Sequence, residues 1–220
     1  MARILFDLDG TLVDSAPSLC HAGNALLAHL GRKPVDVETY KGFVGRGMPR
    51  QIEQLLTNTG GVPGGELAPH LARFRAVYDA DPLIKTVAYP GVPEALEALK
   101  AAGHLLEVCT QKAGVPARKV LSGLGLDGTI EGFTGGDSLD VLKPDPAMLW
   151  HAAAQIGEGP ILFVGDTIVD AETARRASVP FLLHTPGYRQ EPVEALDPAA
   201  TFDDWSTLPD LVFRLLAPAA

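Results

Sequence analysis

Ile4-Leu5-Phe6-Asp7-Leu8-Asp9-Gly10-Thr11-Leu12-Val13-Asp14 is the stretch that decides the fold. Ile4-Leu5-Phe6 is an unbroken apolar run, the pattern of a parallel strand covered on both faces. Two carboxylates follow at once, and extended geometry turns Asp7 and Asp9 to the same side. Acids at the end of a buried strand are costly unless a cation neutralises them. Capping a turn would account for Asp14, but it does not require a carboxylate at Asp7. A hard divalent cation such as Mg²⁺ suits the pair, because it takes carboxylate oxygens and shares its remaining positions with water and phosphate. Gly10-Thr11 then allows a sharp turn with donors facing the acids.

Further along the chain the same pattern returns. Ile161-Leu162-Phe163-Val164 is followed by Gly165-Asp166-Thr167-Ile168-Val169-Asp170, whose two acids lie four apart and so share one side of a helix start. Strands are expected over residues 3–8, 105–109, 130–133, 161–164 and 181–184, with helical spacing at Val92, Leu96 and Leu99 and over residues 115–124, 146–156 and 168–177. This alternation predicts an α/β fold with a parallel sheet.

Residues 14–85 contain no convincing strand. Leu19, Leu26, Leu27 and Leu30 form one helical stripe, Ile52, Leu55 and Leu56 a second, and Leu67, Leu71, Phe74 and Tyr78 a third, with a glycine-rich break at residues 60–65. Helices inserted after the first strand stand over the carboxyl end of the sheet, where open parallel sheets bind ligands, and predict a lid. The expected division is a core of residues 1–14 and 86–220 with an all-helical cap of residues 15–85. A frayed Ala-Pro-Ala-Ala end closes the chain.

The composition agrees with a globular chain of one domain plus an insertion: 220 residues, 46% hydrophobic. A chain of this length can bury roughly 70% of its extended surface, so folding needs neither metal nor staple. A net charge of −9 opposes partnership with nucleic acid or an anionic membrane. Small phosphorylated substrates stay open, since a metal and one or two lysines reverse the sign locally. Cys20 and Cys109 cannot build a disulfide scaffold, which fits a reducing compartment such as the cytoplasm. Asp7 and Asp9 interrupt what would be the apolar centre of a signal peptide, and no run approaches membrane-spanning length.

Between the acidic pairs fall Thr110, at the end of an expected strand, and Lys143 in Leu142-Lys143-Pro144-Asp145-Pro146. A hydroxyl there can donate to a phosphate oxygen, and an ammonium can offset crowded negative charge. In the expected cap, Gly42-Phe43-Val44-Gly45-Arg46-Gly47-Met48-Pro49-Arg50 is a glycine-rich loop with two cations. Its amides at Gly47 can approach an anion, and Arg46, more than Arg50, is placed to grip a carboxylate bidentately. The six histidines form no ligand-spaced cluster.

Taken together, Asp7-Leu8-Asp9-Gly10-Thr11-Leu12-Val13-Asp14-Ser15, Cys109-Thr110-Gln111-Lys112, Gly135-Gly136-Asp137-Ser138, Lys143-Pro144-Asp145-Pro146 and Gly165-Asp166-Thr167-Ile168-Val169-Asp170 resemble the haloacid dehalogenase superfamily of phosphohydrolases over nearly the whole chain. Within it the resemblance runs to the bacterial phosphoglycolate phosphatases. It implies a Rossmann-like parallel core with a helical cap inserted after the first motif. It also implies an Mg²⁺-dependent hydrolase of a small phosphorylated metabolite, with Asp7 as the nucleophile that becomes an aspartyl-phosphate and Asp9 as the acid and base. Thr110 would bind phosphate and Lys143 would steady nucleophile and phosphoryl group. Asp166, the Asp7 carboxylate and the Asp9 backbone carbonyl would hold the metal, supported by Asp170. Gln111 departs from the asparagine usual in the superfamily, which moves its amide outward. A phosphosugar mutase uses the same aspartate pair, and a hydrolytic dehalogenase or a non-catalytic phospho-accepting module are the remaining alternatives.

Overall fold

The computed structural model describes residues 1–217, so residues 218–220 of the Ala-Pro-Ala-Ala end lie outside the described residues. In chain order the elements are β1 (Arg3–Phe6), β2 (Val13–Asp14), α1 (Ala16–His29), α2 (Val37–Lys41), α3 (Met48–Asn58), α4 (Ala68–Tyr78), β3 (Val87–Ala88), α5 (Val92–Ala101), β4 (Leu105–Cys109), α6 (Gly114–Gly123), β5 (Gly132–Thr134), α7 (Ala147–Gln155), β6 (Ile161–Gly165), α8 (Ile168–Ala177), β7 (Phe181–His184), α9 (Val193–Leu196), β8 (Ala200–Phe202) and α10 (Leu208–Leu216). Six strands form one parallel sheet in the order β5-β4-β1-β6-β7-β8. The chain runs outward from β1 to one side and then returns to fill the other, so the strand order reverses beside β1. In open parallel sheets that reversal opens a crevice at the carboxyl ends of the strands.

Strand alternation divides the apolar side chains between two layers. Ile4 and Phe6 of β1, Leu106 and Val108 of β4, Leu162 and Val164 of β6 and Leu182 of β7 pack with α5, α6 and α10, around Leu96, Val120, Trp205 and Val212. Leu5, Phe163, Phe181 and Leu183 face the opposite way, against Leu149, Ala152 and Ala174 of α7 and α8. Continuous apolar runs in β1, β6 and β7 are the consequence of this double coverage.

Between β2 and β3 the chain forms α1 to α4 around a separate apolar cluster that includes Leu19, Leu26, Leu27, Tyr40, Ile52, Leu55, Leu56, Phe74 and Tyr78. The three expected stripes meet there, with Leu30, Leu67 and Leu71 at its edge. A short 3-10 turn over Pro63–Gly65 fills the glycine-rich break. Where residues 14–85 read as strandless, Asp14 lies in β2, which pairs antiparallel with β3 through Val13↔Ala88 and Asp14↔Val87. A two-residue ribbon carries too little periodicity to announce itself.

Three expected strands shift at their boundaries, β6 by a single residue at its end. β1 ends at Phe6, and Leu8 lies in the turn that follows. The expected strand at residues 130–133 is β5 at Gly132–Thr134, because the ladder to β4 starts at Glu107↔Gly132 and runs to Cys109↔Thr134. Among the described residues no helix is long and apolar enough to cross a membrane.

Candidate active site

Asp7 and Asp166 each follow directly on a central strand, and the pairing Phe6↔Val164 brings the two strand ends side by side. The Asp7 amide extends the ladder by donating to the Val164 carbonyl at 2.9 Å. Asp170 sits in the first turn of α8, so that Asp7, Asp166 and Asp170, all buried, present oxygens within 4.8 Å of one another. Close packing at this point accounts for two glycines. Gly10 has φ +90°, and a Cβ there or at Gly187 would collide with Asp166.

Lys143 lies between the acids, its side chain 1% exposed, with Nζ 2.6 Å from Asp170 Oδ1 and 3.0 Å from Asp7 Oδ1. Only the contact to Asp170 is aligned as a hydrogen bond, leaving Asp7 Oδ1 buried without a donor. Burial pushes Asp7 up to about 6; Lys143 counteracts this, while Asp170 and Asp9 add to it. Asp166 is raised well above the usual carboxylate range by burial and by its neighbours Asp170 and Asp7. Burial alone would depress Lys143, but Asp170 and Asp7 outweigh it and hold the ammonium above its ordinary range. One lysine against three close acids leaves negative charge uncompensated, and the orphaned oxygen of Asp7 faces it. That donor set, all carboxylate, fits a hard divalent cation.

Asp166 Oδ1 accepts the Thr11 hydroxyl at 2.9 Å, and Oδ2 accepts the Tyr188 amide at 2.6 Å. Asp170 has two duties. Its Oδ2 receives the Thr167 amide at 3.0 Å and the Thr167 hydroxyl at 2.6 Å, a reciprocal cap on α8, while Oδ1 holds Lys143. Helix capping and membership of the acidic cluster are therefore both true of this residue.

The Asp9 carboxylate is not in that cluster. It accepts the Lys112 ammonium at 2.8 and 2.9 Å and the Ser15 hydroxyl at 2.5 Å. Lys112 is buried, and its Nζ lies 4.9 Å from the centre of the Tyr78 ring of α4, so it spans core and inserted helices. Burial opposes its charge, and Asp9 outweighs that, holding the ammonium above its ordinary range.

A cavity of about 480 Å³ opens over this floor, with Asp7, Asp9 and Thr110 on the core side and Gln51 and Arg75 on the side of the inserted helices. Thr110 is 1% exposed, and its Oγ accepts the Lys112 amide at 3.2 Å, leaving the hydroxyl proton free to donate. The Gln111 amide donates to the Gly45 carbonyl at 2.6 Å, so its extra methylene reaches the glycine-rich loop and ties it to the core. Gly47 lines the same cavity.

Arg46 does not. It is exposed and borders a smaller cavity with Thr167, Arg189 and Gln190, while Arg50 is exposed and paired with Glu53 at 2.5 Å. The cations on the wall of the larger cavity are Arg75 and Lys112. Lys112 stands in a segment singled out by sequence but with no role read for it. Arg75 had one signal: it neighbours the buried Phe74 on α4 and repeats with Asp79 at a helical interval on the cavity side. Ser15 closes the first motif with no role read for it, and Tyr188 carries no spacing signal in the sequence.

A family model described as haloacid dehalogenase-like hydrolase matches residues 1–178. The phosphoglycolate phosphatase of Cereibacter sphaeroides strain ATCC 17029 is 43% identical over 218 residues, covering 99% of this chain and all of the relative. That of Rhodospirillum rubrum is 40% identical, covering 94% of this chain and 89% of the relative. Among solved structures, a predicted phosphoglycolate phosphatase from Haemophilus somnus 129PT superposes with a TM-score of 0.89 at 29% identity, covering 95% of this chain and 96% of the other.

Proposed function

The chain belongs to the haloacid dehalogenase-like hydrolases, and from that membership we propose that it hydrolyses a small phosphomonoester, 2-phosphoglycolate, to glycolate and phosphate through an aspartyl-phosphate on Asp7. One observation carries the reading: the buried trio Asp7, Asp166 and Asp170 gathered within 4.8 Å around a single lysine at the sheet's carboxyl edge. Asp7 and Asp166 would hold Mg²⁺, with Asp170 fixing Lys143 and the α8 start beside them. When bound, the cation neutralises charge on the phosphoryl oxygens and on the nucleophile.

The residues of the chain divide the rest of the work. An oxygen of Asp7 forms a bond to phosphorus as the bond to the leaving oxygen breaks, and Asp9 delivers a proton to that oxygen. Asp9 then takes a proton from a water molecule as its oxygen attacks phosphorus, and Asp7 is released. Thr110 donates to a phosphoryl oxygen, and Lys143 stays charged beside Asp7 throughout. Splitting one displacement into two requires both a carboxylate nucleophile and a second carboxylate to move the protons.

The relatives named above and the charge on the cavity wall support this choice of substrate. Arg75 supplies positive charge on the side of the inserted helices, whereas Asp9 already engages Lys112, and Arg75 replaces Arg46 as the residue proposed to meet the carboxylate of phosphoglycolate. We read residues 15–85 as a cap over a core of residues 1–14 and 86–220, supported by their separate apolar cluster and the β2-β3 ribbon at the junction. We place the chain in the cytoplasm; Cys20 and Cys109 are both free and buried, and burial pushes the Cys109 thiol up to about 12, which keeps it unreactive.

The test is release of inorganic phosphate from 2-phosphoglycolate and from a panel of other small phosphoesters, with Mg²⁺ and after chelation. Mg²⁺-dependent release with phosphoglycolate preferred supports the reading. Activity that survives exhaustive chelation, or substrate isomerised with no phosphate released, would sink it.

A further inference from the structure

We propose that Tyr188, in the loop after β7, is a positioning residue that caps the first helix of the insertion and thereby fixes Ser15 to orient Asp9. The proposal rests on the reading of Asp9 as the proton-transfer group. Tyr188 is 2% exposed, and every hydrogen-bonding position of its phenol is used. The oxygen accepts the amides of Ser15 at 2.8 Å and Ala16 at 3.0 Å and donates to Asp14 Oδ1 at 2.7 Å. A phenol has one proton to give and two lone pairs to fill, so no place is left for water.

The first turn of a helix leaves amide groups without partners, and an N-cap serine ordinarily satisfies one with its own hydroxyl. Ser15 occupies the N-cap of α1 and makes no such bond. Its hydroxyl is turned to Asp9 Oδ1 instead. The Tyr188 phenol takes the amides of Ser15 itself and of Ala16, which the Ser15 hydroxyl is not placed to cap, and so fixes the backbone from which that hydroxyl is aimed at Asp9. The same residue donates its backbone amide to Asp166 Oδ2 at 2.6 Å, and the preceding Gly187 has no room for a side chain against Asp166. Asp14, the third partner, lies in β2 opposite Val87, where the chain returns from the inserted helices. A single residue therefore joins the candidate metal carboxylate, through its amide, to the ribbon at the junction and the start of α1, through its phenol.

Tyr188→Phe keeps the ring and its packing while removing all three phenolic hydrogen bonds. Amide exchange in the metal-free protein reads the cap directly: Ser15 and Ala16 should exchange at least about tenfold faster, the effect of losing a hydrogen bond of ordinary worth, while amides of β1 and β6 stay protected. Turnover reads the consequence for Asp9. The alkoxide leaving from phosphoglycolate needs a proton, whereas the nitrophenolate from p-nitrophenyl phosphate leaves unaided. Tyr188→Phe should slow the single-turnover release of glycolate from phosphoglycolate by about 10 to 100-fold, the scale of a displaced catalytic group, and leave the first-turnover burst of nitrophenolate from p-nitrophenyl phosphate within about threefold, because the later attack of water needs Asp9 with either substrate. Ser15→Ala should show the same selective loss, and the double variant should lose no more than either alone.

Unchanged exchange at Ser15 and Ala16, equal losses on both substrates, or additive losses in the double variant would each overturn the proposal. Asp9→Asn is the control on the reading beneath it. If that variant is not selective for the better leaving group in the first turnover, Asp9 is not the proton donor and the functional reading fails, while exchange at Ser15 and Ala16 still decides whether Tyr188 caps the helix.

Discussion

Replacing Lys143 by methionine removes one buried charge and leaves three. The Nζ stands 2.6 Å from Asp170 Oδ1 and 3.0 Å from Asp7 Oδ1, and at an effective dielectric constant of about 20 each pair is worth roughly 5 to 6 kcal/mol before desolvation is counted. Much of this gross attraction offsets the cost of burying the ions, so the net loss on breaking such a pair is about 3 to 5 kcal/mol. For a domain of this size that corresponds to a fall in Tm of about 6 to 20 °C. Lowering the pH should narrow the gap between variant and parent, because Asp7 and Asp166 are already raised by burial and take up protons readily. Mg²⁺ at a hundred times its Kd should restore about 2.7 kcal/mol by mass action. Thermal unfolding of parent and Lys143→Met, at two pH values and with or without Mg²⁺, measures all of this at once. A metal-free variant melting within about 2 °C of the parent, or one that gains nothing from Mg²⁺, would refute the electrostatic argument.

Glu107 lies on β4 between apolar neighbours, 0% exposed, with Oε2 unpartnered and Oε1 accepting Thr134 and Gln155; burial pushes it up to about 8. Below its unfolded value of about 4.5 both states are protonated; as pH rises to about 8 only the unfolded chain loses the proton, so stability falls by up to about 5 kcal/mol. Urea midpoints from pH 5 to 8.5 should decline more steeply for the parent than for Glu107→Gln, and parallel profiles would contradict this. Arg75→Ala should lower kcat/KM for phosphoglycolate by about 10 to 100-fold and alter p-nitrophenyl phosphate little, the loss expected of a charge-assisted contact to the carboxylate. Arg46→Ala should leave both nearly unchanged, and the opposite ranking would return the carboxylate contact to the glycine-rich loop. Asp166→Ala should weaken Mg²⁺ in direct titration far more than it weakens folding, whereas Asp170→Ala should also destabilise the fold by about 3 to 5 kcal/mol, because it strips buried Lys143 of its hydrogen-bonded partner and α8 of its cap.

The elements that were legible in the sequence are those whose burial is written locally. β7 and α8 match the expected spans, and β6 is one residue longer, because two-sided coverage demands a continuous apolar run and α8 begins shortly after β6; β4 matches as well, although Glu107 interrupts its apolar run. The acids at Asp7, Asp166 and Asp170 were legible for the same reason, since a carboxylate placed directly after such a run is costly unless a cation meets it. β8 went unread because Ala200-Thr201-Phe202 is short and half polar, and it is a strand only by virtue of β7 beside it. The choice between Arg46 and Arg75 was closed to sequence. A loop between glycines does not disclose its direction, and only the packing of α4 turns Arg75 to the cavity. Tyr188 lies 22 positions from Asp166 and 173 from Ser15, so its hydrogen bonds exist only once the sheet has assembled.

The central claim is a phosphoryl group carried on Asp7, and rapid-quench trapping with ³²P-labelled phosphoglycolate addresses it most directly. The account predicts label that appears on the protein within a single turnover, is discharged by hydroxylamine as an acyl phosphate must be, and maps to the peptide containing Asp7. Asp9→Asn, which slows attack by water, should hold more of it, and Asp7→Asn should hold none. Phosphate released at full rate with no label on Asp7, or label that maps to another residue, would contradict the account.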